Sequence, residues 1–242
     1  MKPLSFFAVL LLAFFMRGLA NCQAPGEKLL TAEDFEKFRI IDEGHDLDEE
    51  TFWLQISKDL PPYKIRLVPI GSKEESLGAD NPEHRVARIE ISTGSPLRIV
   101  QTIDVDTRTA AIGFRDFFRV TDINFDGYLD IAVVDEFGAK WVRQKFWLFD
   151  KDSRRFITNS LTADLYRLTD NKIDLHPETR EITVSNLRVP PAIQSRTYKV
   201  GEEHLELVGI EAIEPTDTGI RIYKKRKIDG KFTIVGIQDL AF

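Results

Sequence analysis

Cysteine is almost absent from the sequence: the 242 residues include a single one, Cys22. One thiol cannot form a disulfide within the chain, which excludes the small disulfide-stapled scaffolds. At this length the chain can bury a sizeable hydrophobic core. Its stability must therefore come from that core or from a bound metal.

Long hydrophobic runs are also absent, apart from one at the N-terminus. The run PLSFFAVLLLAFFM, from Pro3 to Met16, is shorter than the roughly 20 residues that a transmembrane helix needs. Lys2 precedes it, Arg17 ends it, and Ala20 stands where signal peptidase prefers a small residue. We predict a secretory signal at residues 1–20, with a transmembrane anchor as the alternative, and a periplasmic or secreted protein without a membrane span.

Cys22 follows the predicted cleavage site closely, in the segment LANC, which resembles a lipoprotein signal. The residue before a lipidated cysteine is normally Gly, Ala or Ser, whereas here it is Asn21. A lipid anchor on Cys22 is therefore the disfavoured alternative, and a free thiol is the expectation.

Positive charge is in short supply, with 33 Lys and Arg against 39 Asp and Glu. Removal of the signal takes away Lys2 and Arg17, which leaves 31 against 39 and a net charge of −8. An acidic surface argues against nucleic acid as a partner, because phosphates need Lys and Arg. The one basic run, Arg221 to Lys227, is typical of a solvated strand edge rather than of an anion-binding patch.

Helical periodicity is missing from residue 51 onward, where short apolar runs rich in β-branched and aromatic residues alternate with turns. Asp229-Gly230 between two such runs is a strong signal of a two-residue hairpin. The pattern predicts an all-β fold of antiparallel hairpins in a propeller-like or twisted-sheet arrangement, although no exact repeat is present. We predict a signal at 1–20, an acidic N-terminal segment at 21–50 with a short helix in TAEDFEKF, and an all-β domain at 51–242.

Recognisable catalytic motifs are absent as well. The four histidines are scattered, and neither a Gly-x-Ser-x-Gly sequence nor a phosphate loop occurs. Asp104 and Asp106 are better explained as a strand end than as a glycosidase pair, and Asp116 has no assigned role. We predict no catalytic residues and no enzymatic activity. Trp147 is expected in the core and Trp141 partly at the surface.

One stretch, TDINFDGYLDIAVVDEFG at residues 121–138, has the spacing of a calcium-binding loop. Asp122, Asn124 and Asp126 occupy loop positions one, three and five, and a glycine that permits a sharp turn follows. The backbone carbonyl of Tyr128 and the carboxylate of Asp130 would complete the set of oxygen ligands. The predicted metal ligands are therefore Asp122, Asn124, Asp126, Tyr128 and Asp130, with an ordinary hairpin as the alternative.

The loop departs from an EF-hand in two respects. Position twelve, which should be a bidentate Glu, is Val133. The flanking sequences FFRV and LDIAVV are strand-like rather than helical. The expected site is consequently a calcium-binding hairpin, with an affinity in the range of about 10⁻⁴ to 10⁻³ M that extracellular modules show.

The stretch TDINFDGYLDIAVVD resembles the FG-GAP or integrin-like β-propeller repeat, D-x-N-x-D-G-x-x-D-[LI]-x-V. The following segments KFWLFDKDSRRFITNSLTADL and RTYKVGEEHLELV resemble a set of small exported bacterial proteins that carry a single such loop. That set includes the immunity lipoprotein of the Xanthomonas type IV secretion system, and its fold is similar to that of periplasmic i-type lysozyme inhibitors. The resemblance covers residues 85–214 or so.

The resemblance implies an all-β, calcium-binding protein outside the cytoplasm, with a cell-wall hydrolase as its protein partner. No motif for an inhibitory loop can be carried over. The leading hypothesis is an inhibitor or immunity protein against a peptidoglycan hydrolase. A calcium-braced adhesion or envelope-structural module, or an unrecognised secreted hydrolase, are the alternatives.

Overall fold

The structure is a computed structural model that describes residues 29–30, 51–69, 86–105, 118–138, 141–168, 172–185 and 192–241. Several sequence predictions lie outside these residues: the signal at 1–20, Cys22, the helix at 31–38, His45, His84, Asp106 and Asp116.

The described residues form three sheets. The first holds β1 (Leu29–Leu30), β2 (Thr51–Leu54), β3 (Tyr63–Pro69), β4 (Val86–Thr93) and β5 (Arg98–Asp104). The second holds β6 (Phe118–Thr121), β7 (Asp130–Gly138), β8 (Trp141–Asp150) and β9 (Arg155–Ile157). The third holds β10 (Lys172–His176), β11 (Glu181–Ser185), β12 (Ala192–Val200), β13 (Leu205–Thr216), β14 (Gly219–Ile228) and β15 (Lys231–Ala241).

In each sheet, strands that are consecutive in the chain are neighbours, so that the second and third sheets are up-and-down meanders, and so is the first sheet from β2 to β5. Among the described strands, only β1 and β2 pair in parallel. Meanders of this kind are the units from which propeller blades are built. The predicted all-β fold of antiparallel hairpins is confirmed. The first sheet begins at Leu29–Leu30, inside the segment at 21–50, and the division of the chain at residue 51 stays a prediction.

The second sheet lies at the centre of the protein, with a hydrophobic core on each face. Along β7, Ile131 and Val133 point into a core shared with the first sheet, whereas Ala132 between them packs against the third sheet. β8 alternates in the same way, with Trp147 and Phe146 on opposite faces. A strand that is buried on both faces reads as a continuous apolar run, which explains the sequence LDIAVV.

A short helix that the sequence analysis did not predict, α1 (Ser160–Tyr166), covers part of the second core. Asn159 caps it by accepting a hydrogen bond from the Thr162 N–H, and the Thr162 hydroxyl accepts one from the Asn159 N–H. This reciprocal pair satisfies two backbone donors that a helix start leaves open. Leu161 and Leu165 then face the core. Within the described part of the chain, no helix has the length and hydropathy needed to cross a membrane.

Phe149 on β8 joins several elements of the first core. Its ring contacts Tyr63 of β3 and Phe156 of β9 edge-to-face, at centroid distances of 5.9 and 5.3 Å. It also stacks on Tyr128, at 5.7 Å. Each such pair adds about 0.5–1.5 kcal/mol beyond the area it buries. Both tryptophan predictions are confirmed, since Trp147 is buried and Trp141 is 36% exposed.

Candidate functional site

The acidic stretch forms the connection between β6 and β7, and the predicted hairpin is present. Thr121 pairs with Asp130, so that residues 122–129 are the loop. The backbone is left-handed at Phe125 (φ 58°) and at Gly127 (φ 88°). Among the residues that the structure describes, none has an atom within 4 Å of a Cβ built on Gly127. Glycine is therefore required here for its backbone angle and not for space.

Three of the predicted ligands gather inside this loop. The two carboxylate oxygens of Asp122 accept hydrogen bonds from the backbone N–H groups of Asp126 (3.0 Å) and Gly127 (2.9 Å). The Asp126 carboxylate accepts from the Tyr128 N–H and from the Asn124 side-chain amide, both at 2.9 Å. The side chains thus fold inward and fix the loop, as Asp and Asn commonly do in turns.

Asp130, the fourth predicted side-chain ligand, has a different setting. It is fully buried, and its two carboxylate oxygens accept hydrogen bonds from the backbone N–H groups of Phe149 (2.8 Å) and Ile123 (3.0 Å). Burial raises the pKa of Asp130 to about 8, against the two N–H donors that lower it, and the nearby charges of Asp126 and Asp122 raise it further. Asp130 consequently fastens the loop to β8.

Asp122 is also affected by its surroundings. Burial raises the pKa of its carboxyl group above the ordinary value, although the N–H groups of Gly127 and Asp126 act in the opposite direction. The neighbouring charge of Asp126 adds to the increase. The loop therefore concentrates negative charge in a setting that favours a compensating positive charge.

The loop is held from both sides by the neighbouring sheets. The Leu129 N–H donates to the Ile56 carbonyl, at 3.0 Å, which ties the end of the loop to the segment after β2. On the other side the Arg180 guanidinium donates to the Asn124 carbonyl, also at 3.0 Å, from the turn between β10 and β11. The loop is thus the point at which parts of all three sheets meet.

A cleft of about 500 Å³ opens beside the loop. Its lining is mostly apolar, and Asp122 and Arg180 supply its charged groups. The described residues that line it are Val120, Thr121, Asp122, Phe125, Gly127, Leu129, Leu175, Pro177 and Arg180. Any rearrangement of the loop would therefore reshape one wall of this cleft.

The donor set suits a hard cation in its chemistry. Two carboxylates, an amide and a backbone carbonyl are the oxygen donors that calcium takes in proteins. Among the described residues, no group of three or more His, Cys, Asp or Glu side chains could hold a metal ion. A site here would accordingly depend on the Asn124 amide and the Tyr128 carbonyl together with Asp122 and Asp126.

Val133 explains why the loop lacks the ligand of position twelve. Its side chain is fully buried in the core between the first two sheets, and it pairs with Phe118 across the hairpin. A glutamate at this position would place a charge in that core, which costs several kcal/mol per ion. Position twelve of the loop pattern therefore falls on a core residue of β7 and cannot supply a metal ligand.

A polar cluster that the sequence analysis missed lies at the other end of β7. A register shift between Val134 and Glu136 leaves Asp135 as an extra residue, and its side chain is completely buried. Tyr166 of α1 donates its hydroxyl to Asp135, at 2.6 Å, and the Lys145 ammonium lies 3.3 Å from it. A bulge has no clear signal in the sequence. The segment VVDEFG contains no glycine or proline before Gly138 that would indicate an interrupted strand.

The described histidines, His176 and His204, make their hydrogen bonds to residues outside these two acidic clusters. His176 contacts the Thr183 hydroxyl, at 3.0 Å, and His204 contacts Asp164, at 3.1 Å. The absence of catalytic residues was inferred from the sequence and stays a prediction.

Comparisons with known proteins show a likeness in fold to a solved structure. No family model matches the chain, and no curated protein matches it. A solved structure described as that of a Xanthomonas type IV secretion system related protein has a similar fold, with a TM-score of 0.50. The two chains are 14% identical, and the match covers 80% of this chain and 97% of the other. At this identity the likeness concerns the fold. The FG-GAP or integrin-like family is not confirmed.

Proposed function

We propose that the protein is an exported calcium-binding protein that uses its braced all-β fold to bind a protein partner. The ion would be held by Asp122, Asn124, Asp126 and the Tyr128 carbonyl, with Asp130 as the residue that anchors the loop or as a further ligand. The proposal rests on one observation: the carboxylate oxygens of Asp122 and Asp126, which could coordinate a metal ion, point into the same short loop.

Calcium would supply the positive charge that the loop lacks. Carboxylates held close together raise each other's pKa values and, when ionised, destabilise the folded state. A bound cation would offset this repulsion between Asp122 and Asp126, and it would favour the ionised form of Asp130. Since the Arg180 guanidinium and the Leu129 N–H tie the loop to its neighbours, calcium would also fix the wall of the adjacent cleft.

Isothermal titration with calcium tests the metal site directly. We expect the wild-type protein to bind one equivalent, and Asp126→Ala to weaken binding at least tenfold. Asp229→Ala is a matched control, because Asp229 also precedes a left-handed glycine in a hairpin but lies far from this loop in the sequence. Equal calcium binding by Asp126→Ala and the wild type would refute the site.

The proposed partner is a peptidoglycan hydrolase, which the protein would inhibit. The similarity to a type IV secretion related protein supports a secretion-associated setting, and the sequence resemblance supplies the class of partner. The protein binds its target, on this hypothesis, through a surface that calcium keeps rigid.

An inhibition assay separates this function from its alternatives. Lysozymes of the i-type and bacterial peptidoglycan hydrolases are incubated with the protein, in calcium and in chelator, and cell-wall lysis is followed. Stoichiometric inhibition that weakens in chelator supports the proposal. Binding to peptidoglycan without inhibition would indicate an envelope module instead, and lysis by the protein alone would indicate a hydrolase.

A further inference from the structure

The cleft beside the acidic loop borders on both hydrophobic cores. Val120 and Leu129 line it, and both are buried members of the first core. Leu175 of β10 lines it as well and packs against the second core. Sites for small molecules usually have volumes of about 300–1,000 Å³ and mostly apolar linings with a few polar groups. At about 500 Å³ and with a mostly apolar lining, this cleft meets both conditions.

The positive charge of Arg180, in the lining of the cleft, has no acidic partner among the described residues. Its guanidinium donates one hydrogen bond to the Asn124 carbonyl, at 3.0 Å, and that acceptor is neutral. The remaining N–H groups of a guanidinium form a planar fork that matches the two oxygens of a carboxylate. The cleft therefore presents an unpaired cationic group beside apolar side chains.

Asp122, the other charged residue of the lining, is already engaged by the loop. Its two carboxylate oxygens accept hydrogen bonds from the backbone N–H groups of Asp126 and Gly127, at 3.0 and 2.9 Å. These donors compensate part of its negative charge, whereas the charge of Arg180 meets only a carbonyl oxygen. An anionic group of a ligand would thus find its partner in Arg180.

The backbone at Arg180 is also unusual for an arginine. It is left-handed, with φ of 53°, a conformation that glycine and asparagine adopt most readily. The turn between β10 and β11 fixes it there: the Arg180 N–H donates to the Pro177 carbonyl at 3.2 Å, and the Val200 N–H donates to the Arg180 carbonyl at 2.9 Å. An unfavourable residue at a fixed position is a sign that its side chain has a function.

The composition of the lining favours an aliphatic ligand over a peptide. A peptide would bring backbone N–H and C=O groups, which lose their hydrogen bonds to water in such a cleft. The described lining offers few partners for them, since its polar side chains are Thr121, Asp122 and Arg180. An aliphatic chain brings no such groups, and each methylene that it buries tightens binding about fourfold.

We propose that the cleft binds a small aliphatic carboxylic acid, with its carboxylate on the Arg180 guanidinium and its chain against Leu129 and Leu175. The inference is independent of calcium binding and of the proposed hydrolase partner.

Titration calorimetry in calcium-free buffer tests the proposal, with octanoate as the probe. We expect the wild type to bind one equivalent. Butanoate should bind about tenfold more weakly or less, because its chain is shorter, and octylamine, which carries the opposite charge, should not bind. The absence of calcium keeps this result separate from the test of the metal site.

Two asparagine substitutions form a matched pair for the same titration. Arg180→Asn suits the left-handed backbone and removes the charge, so octanoate binding should weaken about tenfold or more. Arg180→Lys should restore part of the affinity. Arg154→Asn is the control, because Arg154 is also left-handed (φ 53°) and lies outside the described lining of the cleft. It should bind octanoate like the wild type.

Amide chemical shifts locate the bound probe. Octanoate should move the signals of Leu129 and Leu175 and leave that of Ile237 unchanged; Ile237 is 58% exposed on the β14–β15 hairpin, where an apolar probe could also adhere. Shifts confined to that hairpin would overturn the proposal. So would no octanoate binding, equal binding of octylamine, or wild-type affinity in folded Arg180→Asn. Binding of N-acetyl-leucine in place of octanoate would overturn the choice of an aliphatic acid over a peptide.

Discussion

Two hairpins of the protein turn on the same dipeptide, Asp-Gly, and differ in almost everything else. Asp229-Gly230 is a two-residue turn at the tip of β14 and β15, with φ values of 48° and 78°. Asp126-Gly127 is part of the eight-residue loop between β6 and β7. The first turn is exposed, whereas the second is tied to β8 by a fully buried carboxylate. The dipeptide therefore specifies a reversal of chain direction in both hairpins. Whether acidic side chains also gather around the turn depends on the surrounding residues.

The carboxylates of the two hairpins also respond to their surroundings in opposite ways. Burial raises the pKa of Asp130 to about 8. The hydrogen bond from Arg221 lowers the pKa of Asp239 on the exposed hairpin. The free energy of a buried carboxylate depends on the hydrogen-bond donors around it. The interactions of a surface carboxylate are weaker, because water and salt screen its charge. Substitutions in the two hairpins should therefore have effects of different size.

The largest effect is expected from Asp130→Ala. The substitution leaves the backbone N–H groups of Ile123 and Phe149 without their acceptor in a buried setting. We expect a loss of about 3 kcal/mol in the free energy of unfolding, since an unsatisfied buried donor costs about 1–3 kcal/mol. Urea denaturation measures it. Asp229→Asn, which keeps a side chain suited to the left-handed backbone of the exposed turn, should change stability by a much smaller amount. Equal losses would contradict the distinction between the hairpins.

A matched pair of glycine substitutions compares the turns themselves. Gly127 (φ 88°) and Gly230 (φ 78°) both have left-handed backbones, and no described residue has an atom within 4 Å of a Cβ built on either. Alanine should therefore introduce only backbone strain, about 1–2 kcal/mol at each position. Gly127→Ala should lower the melting temperature and weaken calcium binding. Gly230→Ala should increase hydrogen exchange in the hairpin and leave calcium binding unchanged. Weakened calcium binding in both variants would contradict the account.

Arg180→Ala should have a smaller effect, confined to the first hairpin. The side chain is exposed, and it contributes one hydrogen bond to the Asn124 carbonyl. We expect stability to fall by about 1 kcal/mol or less, as for a single hydrogen bond, and calcium affinity to fall a few fold. Arg167→Ala, which removes an exposed ion pair with Asp164, controls for loss of charge. Unchanged calcium affinity in Arg180→Ala would show that the hydrogen bond from Arg180 to the Asn124 carbonyl does not affect the calcium site.

Asp239→Asn should have the smallest effect, and its pH dependence has a defined sign. A carboxyl group whose pKa is lowered by folding stabilises the protein above its ordinary pKa of 3.8, and that contribution disappears as the pH falls through the lowered value. The wild type should therefore exceed Asp239→Asn slightly in stability at neutral pH, and the difference should vanish in acid and shrink in salt. Denaturation of dilute protein measures both, and a difference that grows in acid would contradict the assignment.

Local signals in the sequence predicted much of the fold. Period-two runs and turn residues identified most strands, and Asp229-Gly230 identified the hairpin that closes the third sheet. The strands β1 and β9 were missed because two and three residues are too few to show a period of two. The strand β10, which is as long as β11, was missed as well. Helix α1 was missed although Asn159 and Thr162 form its capping box, because seven residues are too few to establish a helical period.

The candidate site was predicted less completely, for physical reasons. The spacing of Asp122, Asn124 and Asp126 correctly predicted that they lie close together, because the residues of a tight loop are neighbours in space. The contact between Arg180 and Asn124 spans 56 residues, and nothing local in the sequence indicates it. The spacing also gave Asp130 the same role as the others, whereas its burial between Ile123 and Phe149 depends on how β7 and β8 pack.

The most direct test of the central claim is the melting temperature of residues 21–242, in calcium and in chelator, for the wild type and for Asp126→Ala. We predict that calcium raises the melting temperature of the wild type and leaves that of Asp126→Ala unchanged. If calcium has no effect on the wild type, or raises both proteins equally, the loop is an ordinary hairpin and the calcium-binding proposal is wrong.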